Sequence, residues 1–349
     1  MVIVQSWARG RMTRFTDSFR AFWLPALNGP GMLRLLLALL VWVSHASRLE
    51  VGGPAVMVFF MLSGYWVTGL YLRHNGSIAS FMLDRFLRVW PLLAIVAILT
   101  VAARLWLDVP AAGHLASTLM LLGLATRNQD VLGVAWSLDF ELQFYFALPF
   151  LMMLVAPTGV LVKWRALIVL LVATPVGLWL MYDQGIATVL ALVPAFGAGL
   201  AIRLTGWTCS GRAALASVIA FASFGVICLL VPELRHILLK TPGVWSPADL
   251  RICMAWCLVL VPYIAWNVRQ SPPPVDRLLG DLSFPFYLLH FPVLSIGTAV
   301  GLFAPDWAGK LAALLAAVTL TLLVYQFIDR PIEAWRIGRR SRLTPALAE

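Results

Sequence analysis

An arginine and a histidine share one face of the first long apolar segment of the chain. Arg34 and His45 are eleven residues apart, and at about 3.6 residues per turn a helix brings both side chains to the same side, roughly 16 Å apart along its axis. Ionisable side chains inside an apolar helix are costly and therefore indicate function. The imidazole of His45 suits general-base chemistry near neutral pH. The alternative is a histidine that only makes hydrogen bonds at the end of its helix.

A polar stripe opens a second apolar segment, in the motif Trp136-Ser-Leu-Asp-Phe-Glu-Leu-Gln-Phe-Tyr145. Ser137, Glu141 and Tyr145 are spaced i, i+4 and i+8, which places them on one helix face. A carboxylate beside an imidazole orients the ring and stabilises its protonated form, as in many acyl-transfer sites. We therefore expect Glu141 to pair with His45. Pairing of Glu141 with a structural arginine is the alternative.

Two arginines occur together at the start of another apolar segment. Arg85 and Arg88 are i, i+3 neighbours within the motif Phe81-Met-Leu-Asp-Arg-Phe-Leu-Arg-Val-Trp-Pro91. Paired guanidinium groups can hold a phosphate through parallel hydrogen bonds. Arginines at a cytoplasmic helix end also act as ordinary topogenic charge, so this motif alone decides nothing.

A third polar face lies on a segment near the end of the chain. Ser283, Tyr287 and His290 are spaced i, i+4 and i+7, so a helix places them on one side. Such an alignment inside an apolar helix predicts the lining of a cavity. A polar seam between two packed helices would have the same pattern.

The composition indicates that lipid surrounds the elements carrying these residues. Of 349 residues, 61% are hydrophobic and 12% are charged, against about 25% charged in soluble proteins. We predict an all-α integral membrane protein, which excludes soluble, disordered, fibrous and disulfide-scaffold classes. Eleven segments are candidates to span the membrane: 32–47, 53–72, 89–107, 112–125, 138–156, 164–181, 186–203, 212–231, 250–267, 284–303 and 307–328.

The basic residues select among the possible topologies. When 112–125, the shortest segment, is excluded as a span, most arginines and lysines fall on one side, as the positive-inside rule requires. We therefore predict a bundle of about ten transmembrane helices with both termini cytoplasmic. The domains are a basic leader over 1–30, a membrane domain over 31–331 and a basic cytoplasmic tail over 332–349. The net charge of +10 indicates anionic lipid as a partner, not nucleic acid, and the four cysteines lack metal-ligand spacing.

The order of the motifs resembles the acyltransferase 3 family of bacterial integral membrane O-acyltransferases. The stretch Phe59-Phe-Met-Leu-Ser-Gly64 is similar to the family's FFxLSG, and Asp329-Arg-Pro331 is similar to its ERP. The resemblance implies transfer of an acyl group, most often acetyl from acetyl-CoA, to a hydroxyl of a glycan or another acceptor at the bacterial cytoplasmic membrane. The chain departs from the family pattern at three positions, Met57, Asp84 and Phe284.

The resemblance also implies functional roles for Arg34, His45, Arg85, Arg88 and Glu141, whereas helical spacing singles out the cavity residues. His45 and Glu141 are expected to be catalytic, and acyl-CoA is expected to bind at Arg34, Arg85 and Arg88. The residues expected to line the substrate cavity are Ser137, Tyr145, Ser283, Tyr287 and His290. No metal is expected. The expected partners are a glycan acceptor and polysaccharide biosynthesis or export machinery. Two alternatives remain open, a glycan or lipid transporter without covalent chemistry and a structural subunit of a polysaccharide assembly complex.

Overall fold

A computed structural model describes residues 29–155, 160–240, 246–271 and 273–343. The predicted leader therefore lies outside the described residues except for its last two, as do the last six residues of the predicted tail. Throughout the described ranges the secondary structure is helical, apart from an isolated antiparallel bridge between Leu49 and Leu239. The described part of the chain is thus all-helical, as predicted.

The helices, numbered in chain order, are as follows. The first seven are α1 Pro30–Ala46, α2 Gly52–Arg73, α3 Ile78–Trp106, α4 Leu115–Met120, α5 Leu124–Arg127, α6 Trp136–Val155 and α7 Val160–Tyr182. The next seven are α8 Val193–Thr205, α9 Gly211–Leu230, α10 Pro247–Leu258, α11 Val261–Asn267, α12 Pro274–Ala299, α13 Trp307–Val324 and α14 Arg330–Leu343. Short 3₁₀ turns precede α8 and follow α9, and a π-turn, Tyr325–Asp329, joins α13 to α14.

The described helices make this a helical membrane protein, but they do not by themselves give the predicted count of spans. Six are long and apolar enough to cross a membrane: α2, α3, α6, α9, α12 and the continuous helix Trp307–Arg339. A seventh span results if α10 and α11, bent by 44° at their junction, are taken together. Three shorter apolar helices remain, Pro30–Ala46, Ile168–Tyr182 and Val189–Thr205.

Segment 112–125, the one predicted not to cross, forms no continuous helix. It contains α4 with 6 residues and the start of α5, which has 4 residues. A left-handed residue at Leu121, with φ 62°, separates them. A helix rises about 1.5 Å per residue, so neither piece is long enough to span a bilayer.

Helix α1 lies between α2 and α12, and these contacts fix the position of its polar residues. Pro30 begins α1 without a side-chain cap from its own segment. Asp276 of α12 supplies the cap, because its carboxylate accepts hydrogen bonds from the backbone N–H groups of Gly31 at 3.0 Å and Met32 at 2.7 Å. A negative charge at a helix N-terminus stabilises the unpaired N–H groups there. Arg34 follows one turn later and therefore faces the α1–α12 contact.

Glycines allow the close packing of α2 on α8, the most extensive helix contact with α1–α12. A Cβ atom on Gly64 would overlap the backbone of Phe196, and one on Gly199 would overlap the backbone of Met61. Small residues at a crossing let membrane helices approach closely. The glycine of the FFxLSG-like stretch therefore serves packing, and it leaves the neighbouring Ser63 facing the other side of α2.

Candidate active site

A polar cavity of about 360 Å³ lies between α1, α2, α3, α6, α12 and α14. This volume is in the range of small-molecule sites. Its lining combines three arginines, three acids and four hydroxyl groups with several apolar side chains. The polar lining residues are Arg34, Ser63, Arg85, Arg88, Ser137, Glu141, Asp281, Ser283, Tyr287 and Glu333. The structure thus brings together seven of the ten residues singled out in the sequence.

Arg34 forms no ion pair or hydrogen bond within the described residues, although it lines the cavity. Its electrostatic neighbours are the cations of Arg85 and Arg88 and the anions of Asp281 and Glu141. Helix α12 comes very close to α1 at this level, because a Cβ on Gly280 would lie 3.0 Å from the Cα of Gly31. The guanidinium of Arg34 is therefore held at the cavity wall with its donors available to an anionic ligand.

The two arginines of α3 differ in how far they are already paired. Arg88 donates to Asp329 at 3.0 Å and lies 4.0 Å from Glu333. Arg85 has a longer ion pair, 3.8 Å, with Asp84, and its guanidinium lies 5.8 Å from the centroid of the Tyr145 ring. Its buried Nε has no hydrogen-bond partner among the described residues. Arg85 is therefore better placed than Arg88 to bind an added anion.

Glu141 accepts a hydrogen bond from the hydroxyl of Ser63 at 2.7 Å. The predicted pairing of Glu141 with His45 does not form in the described part of the chain. Glu141 projects from α6 toward α2 and the cavity, whereas His45 lies near the far end of α1. The alternative, a pair with a structural arginine, is absent as well, because Glu141 forms no ion pair with any described arginine. Helical periodicity predicts which residues share one face of a helix, but it does not predict which faces of two helices pack against each other.

His45 lies beyond the cavity, next to aromatic side chains of α12. Its ring centroid is 5.4 Å from that of His290 and 4.5 Å from that of Phe291. Lys240 binds the end of α1 by donating to the carbonyl of Ser44. The imidazole is thus surrounded by an apolar ring, a second imidazole and a nearby ammonium group, and it faces no carboxylate within ion-pair distance among the described residues.

The polar face of α12 divides between the cavity and His45. Tyr287 lines the cavity, and its hydroxyl lies 2.8 Å from that of Ser137 and 3.2 Å from the carbonyl of Val134. Ser283 also lines the cavity and donates to the carbonyl of Gly280 at 2.6 Å. His290, one turn beyond Tyr287, is fully buried. It does not line the cavity and connects Tyr287 to His45 through ring contacts.

A second, largely apolar cavity of about 490 Å³ lies between α3, α4 and α6. It shares Arg85, Leu138 and Glu141 with the polar cavity. Tyr145 borders this second cavity, not the first. The guanidinium of Arg85 lies over its ring, 5.8 Å from the centroid. The residues predicted to form one polar stripe on α6 therefore line two different cavities.

The turn before α6 fixes both Tyr287 and the ring beside His45. The carboxylate of Asp130 accepts from the backbone N–H groups of Leu132, at 2.8 Å, and Ala135. Burial raises the pKa of Asp130, while these hydrogen bonds favour its charged form. Gly133 has φ 71°, and a Cβ there would overlap the ring of Phe291. Glycine is thus required at position 133 for two reasons, the left-handed backbone conformation and the space that Phe291 occupies.

A family model described as an acyltransferase domain, acyltransferase 3, matches residues 27–326, the greater part of the chain. The chain belongs to the acyltransferase 3 family. This acyltransferase is similar to the exopolysaccharide production protein ExoZ of Rhizobium meliloti (strain 1021), with 26% identity over 323 residues that cover 85% of this chain and 94% of the relative.

A second relative is similar over a shorter region. Nodulation protein 10 of Rhizobium leguminosarum bv. viciae is 30% identical over 162 residues, which cover 36% of this chain and 44% of that protein. No solved structure matches this acyltransferase with significance.

The cavity of this acyltransferase contains polar residues that the sequence analysis did not assign to the site. Ser63, Asp281 and Glu333 line it. Ser63 belongs to the FFxLSG-like stretch, so its motif was a signal for it. Asp281 and Glu333 were not assigned, because Asp281 lies two residues before the polar face that starts at Ser283 and Glu333 lies two residues after the Asp-Arg-Pro stretch. Among the described residues no group of three or more histidines, cysteines and acids could hold a metal ion.

Proposed function

We propose that this protein is an O-acyltransferase that moves an acetyl group from cytoplasmic acetyl-CoA to a hydroxyl of a cell-surface or exported glycan. The observation that carries this proposal is the polar cavity whose arginine cluster is connected, through Tyr287 and His290, to His45. Membership of the acyltransferase family supports the reaction class. The similarity to an exopolysaccharide production protein supports a glycan acceptor.

The donor side of the reaction is assigned to the arginine cluster. Within the described residues, Arg34 forms no hydrogen bond or ion pair, and the Nε donor of Arg85 has no partner. Both residues line the cavity. Guanidinium groups recognise phosphate geometrically as well as by charge. Phosphates of acetyl-CoA would bind here, and the pantetheine arm would extend toward Tyr287.

The acceptor side is assigned to His45. In a single transfer, the base takes the proton of the acceptor hydroxyl as its oxygen attacks the thioester carbonyl. The carbon–sulfur bond then breaks, and the proton passes from His45 to the departing thiolate, which leaves as CoA. His45 is regenerated unchanged. Glu141 and Ser63 act at the cavity end, where they would contact the donor.

The proposed topology keeps ten spans and both termini in the cytoplasm. The six long helices, the bent pair and the three shorter apolar helices together make ten. With this arrangement Arg34, Arg85 and Arg88 are near the cytoplasmic face and His45 is toward the opposite face. The proposal includes a location in the bacterial cytoplasmic membrane, among anionic lipids and beside the machinery that assembles or exports the glycan.

A purified-protein assay tests the proposal. The protein in detergent is incubated with acetyl-CoA labelled in the acetyl group and with glycan isolated from cells that lack the protein. Release of CoA together with label in the glycan supports the enzyme. Binding or movement of glycan across a vesicle membrane without CoA release would instead support a transporter. If His45→Ala retained both acetyl transfer and glycan movement, the result would support the structural alternative.

A further inference from the structure

We infer that His290 is a positioning residue for His45, and that its Nε2 accepts a hydrogen bond from the ring N–H of His45 in the working enzyme. This inference rests on the proposed function for the role of His45 as the base. It replaces the expected orienting contact with Glu141, which the structure does not contain.

The protonation of the His290 ring follows from its backbone contact. Its Nδ1 lies 3.1 Å from the carbonyl oxygen of Phe286, one turn earlier in α12. A carbonyl oxygen only accepts hydrogen bonds, so Nδ1 carries the proton. A neutral ring then has its lone pair on Nε2. This atom is buried and has no hydrogen-bond partner among the described residues, and the residue is 0% exposed.

An unsatisfied buried acceptor in a native protein calls for a physical explanation. Three rings surround His290, with centroid distances of 5.4 Å to His45, 5.6 Å to Phe286 and 5.8 Å to Tyr287. Phe286 has no donor. The hydroxyl of Tyr287 is already hydrogen-bonded with Ser137 and the carbonyl of Val134. Among these three ring neighbours, the donor left for the lone pair of His290 is therefore an N–H of His45.

The two imidazoles meet at an angle that a small movement can convert into a hydrogen bond. Their planes are tilted by 43°, and the torsion that turns a histidine ring about its Cβ–Cγ bond is broad. His45 forms no hydrogen bond of its own within the described residues. Rotation of its ring toward His290 therefore breaks no existing hydrogen bond and satisfies a buried acceptor.

The contact gives His45 the orientation that a base needs. With one ring N–H donated to His290, the lone pair of the other nitrogen points toward the acceptor hydroxyl. After His45 takes the hydroxyl proton, both of its nitrogens are donors, and the lone pair of His290 stabilises one of them. His290 itself gains and loses no proton. It performs the orienting part of the third member of a catalytic triad, with a neutral group in place of a carboxylate.

Two substitutions of similar polarity separate positioning from packing. His290→Gln keeps an acceptor oxygen near the position of Nε2, whereas His290→Asn is shorter and retains only the donor near Nδ1. We expect His290→Asn to lower kcat by ~10- to 100-fold, as loss of an orienting partner usually does, with the KM for acetyl-CoA unchanged. His290→Gln should recover most of this loss. Equal losses in both variants, or wild-type kcat in His290→Asn, would overturn the inference.

The double variant provides a second kinetic test. If His290 acts only through His45, then His45→Ala combined with His290→Asn should be no slower than His45→Ala alone, because residues that act as a unit are not additive. Multiplying losses would assign His290 a separate role and contradict the inference.

A measurement on the protein itself does not require turnover. The chain has five histidines, so ¹⁵N-histidine labelling gives a small set of ring resonances, and His290→Gln identifies those of His290. We expect the Nε2 resonance of His290 to report an accepted hydrogen bond and to move in His45→Ala but not in His114→Ala. An unchanged resonance in His45→Ala would refute the contact. Failure of acetyl transfer by the wild-type protein, with this resonance shifted as expected, would refute only the proposed function.

Discussion

At the scale of single residues, Arg34 differs from the other arginines of the cavity. Arg88 is bound to Asp329, and Arg85 has a long ion pair with Asp84. Arg34 has no such partner in the described part of the chain, yet it is held at the cavity wall by the close α1–α12 contact. A guanidinium in this setting is prepared for a ligand anion, because no internal carboxylate competes directly for its donors.

Replacing Arg34 should therefore affect donor binding more than chemistry. Arg34→Ala is expected to raise the KM for acetyl-CoA by about 10-fold or more, the equivalent of one lost charge-assisted hydrogen bond, with a small change in kcat. Steady-state kinetics with varied acetyl-CoA measures both constants. Arg277→Ala, at an exposed position of α12, is the matched control. A fall in kcat at unchanged KM would contradict the assignment of Arg34 to the donor.

At the scale of elements, the ion pair between Arg88 and Asp329 joins α3 to the π-turn at the end of α13. Only 4% of the Asp329 side chain and 18% of the Arg88 side chain are exposed. A buried charge left without its partner is strongly destabilising, whereas removal of both charges costs far less. The Asp-Arg-Pro stretch of the sequence therefore has a structural role at this junction, through the aspartate.

The expected result is asymmetric. Asp329→Ala should lower the free energy of unfolding by about 3 kcal/mol and the thermal midpoint in detergent with it. The double variant Arg88→Met with Asp329→Ala should reverse a large part of this decrease in the thermal midpoint. If the double variant is less stable than Asp329→Ala, the pair does not act as described.

The turn before α6 is a second element whose geometry matters. Gly133→Ala would place a methyl group in the space of the Phe291 ring and strain a left-handed backbone. Because Phe291 packs on His45, we expect a reduced kcat together with a lower thermal midpoint. Gly185→Ala is the control, since Gly185 also has positive φ but has open space around its Cβ position. Equal kinetic effects of the two substitutions would remove Phe291 from the explanation.

The sequence predicted which residues share a helix face more successfully than it predicted which residues they contact. The spacing of Ser137, Glu141 and Tyr145 placed all three on one side of α6. In the structure Ser137 and Glu141 line the polar cavity, whereas Tyr145 borders the largely apolar one. The spacing did not reveal that Glu141 would meet Ser63, because the contact depends on which helix packs opposite α6. The neighbour of His45 was likewise hidden: His290 is 245 positions away, and only the packing of α12 on α1 brings it there.

At the scale of the whole molecule, the account depends on a cavity that opens to the cytoplasm and a base near the other face. The proposed topology makes α4 extracytoplasmic and the start of α3 cytoplasmic. In a variant without native cysteines, Ala112→Cys should react with an impermeant thiol reagent added to intact cells, and Ser80→Cys should not. Both positions are exposed, and permeabilised cells provide the control for reactivity. Labelling of Ser80→Cys in intact cells would invert the topology and exclude a cytoplasmic donor.

The most direct test of the central claim is the acylation of the glycan in cells. Proton NMR of surface and secreted glycans should show an O-acetyl signal when the wild-type protein is present. This signal should fall by at least ~100-fold in His45→Ala, since positioned general-base catalysis is worth about 10²- to 10⁴-fold. His114→Ala, an exposed histidine in the segment before α4, should leave the signal unchanged at equal protein levels. Undiminished O-acetylation in His45→Ala would contradict the account.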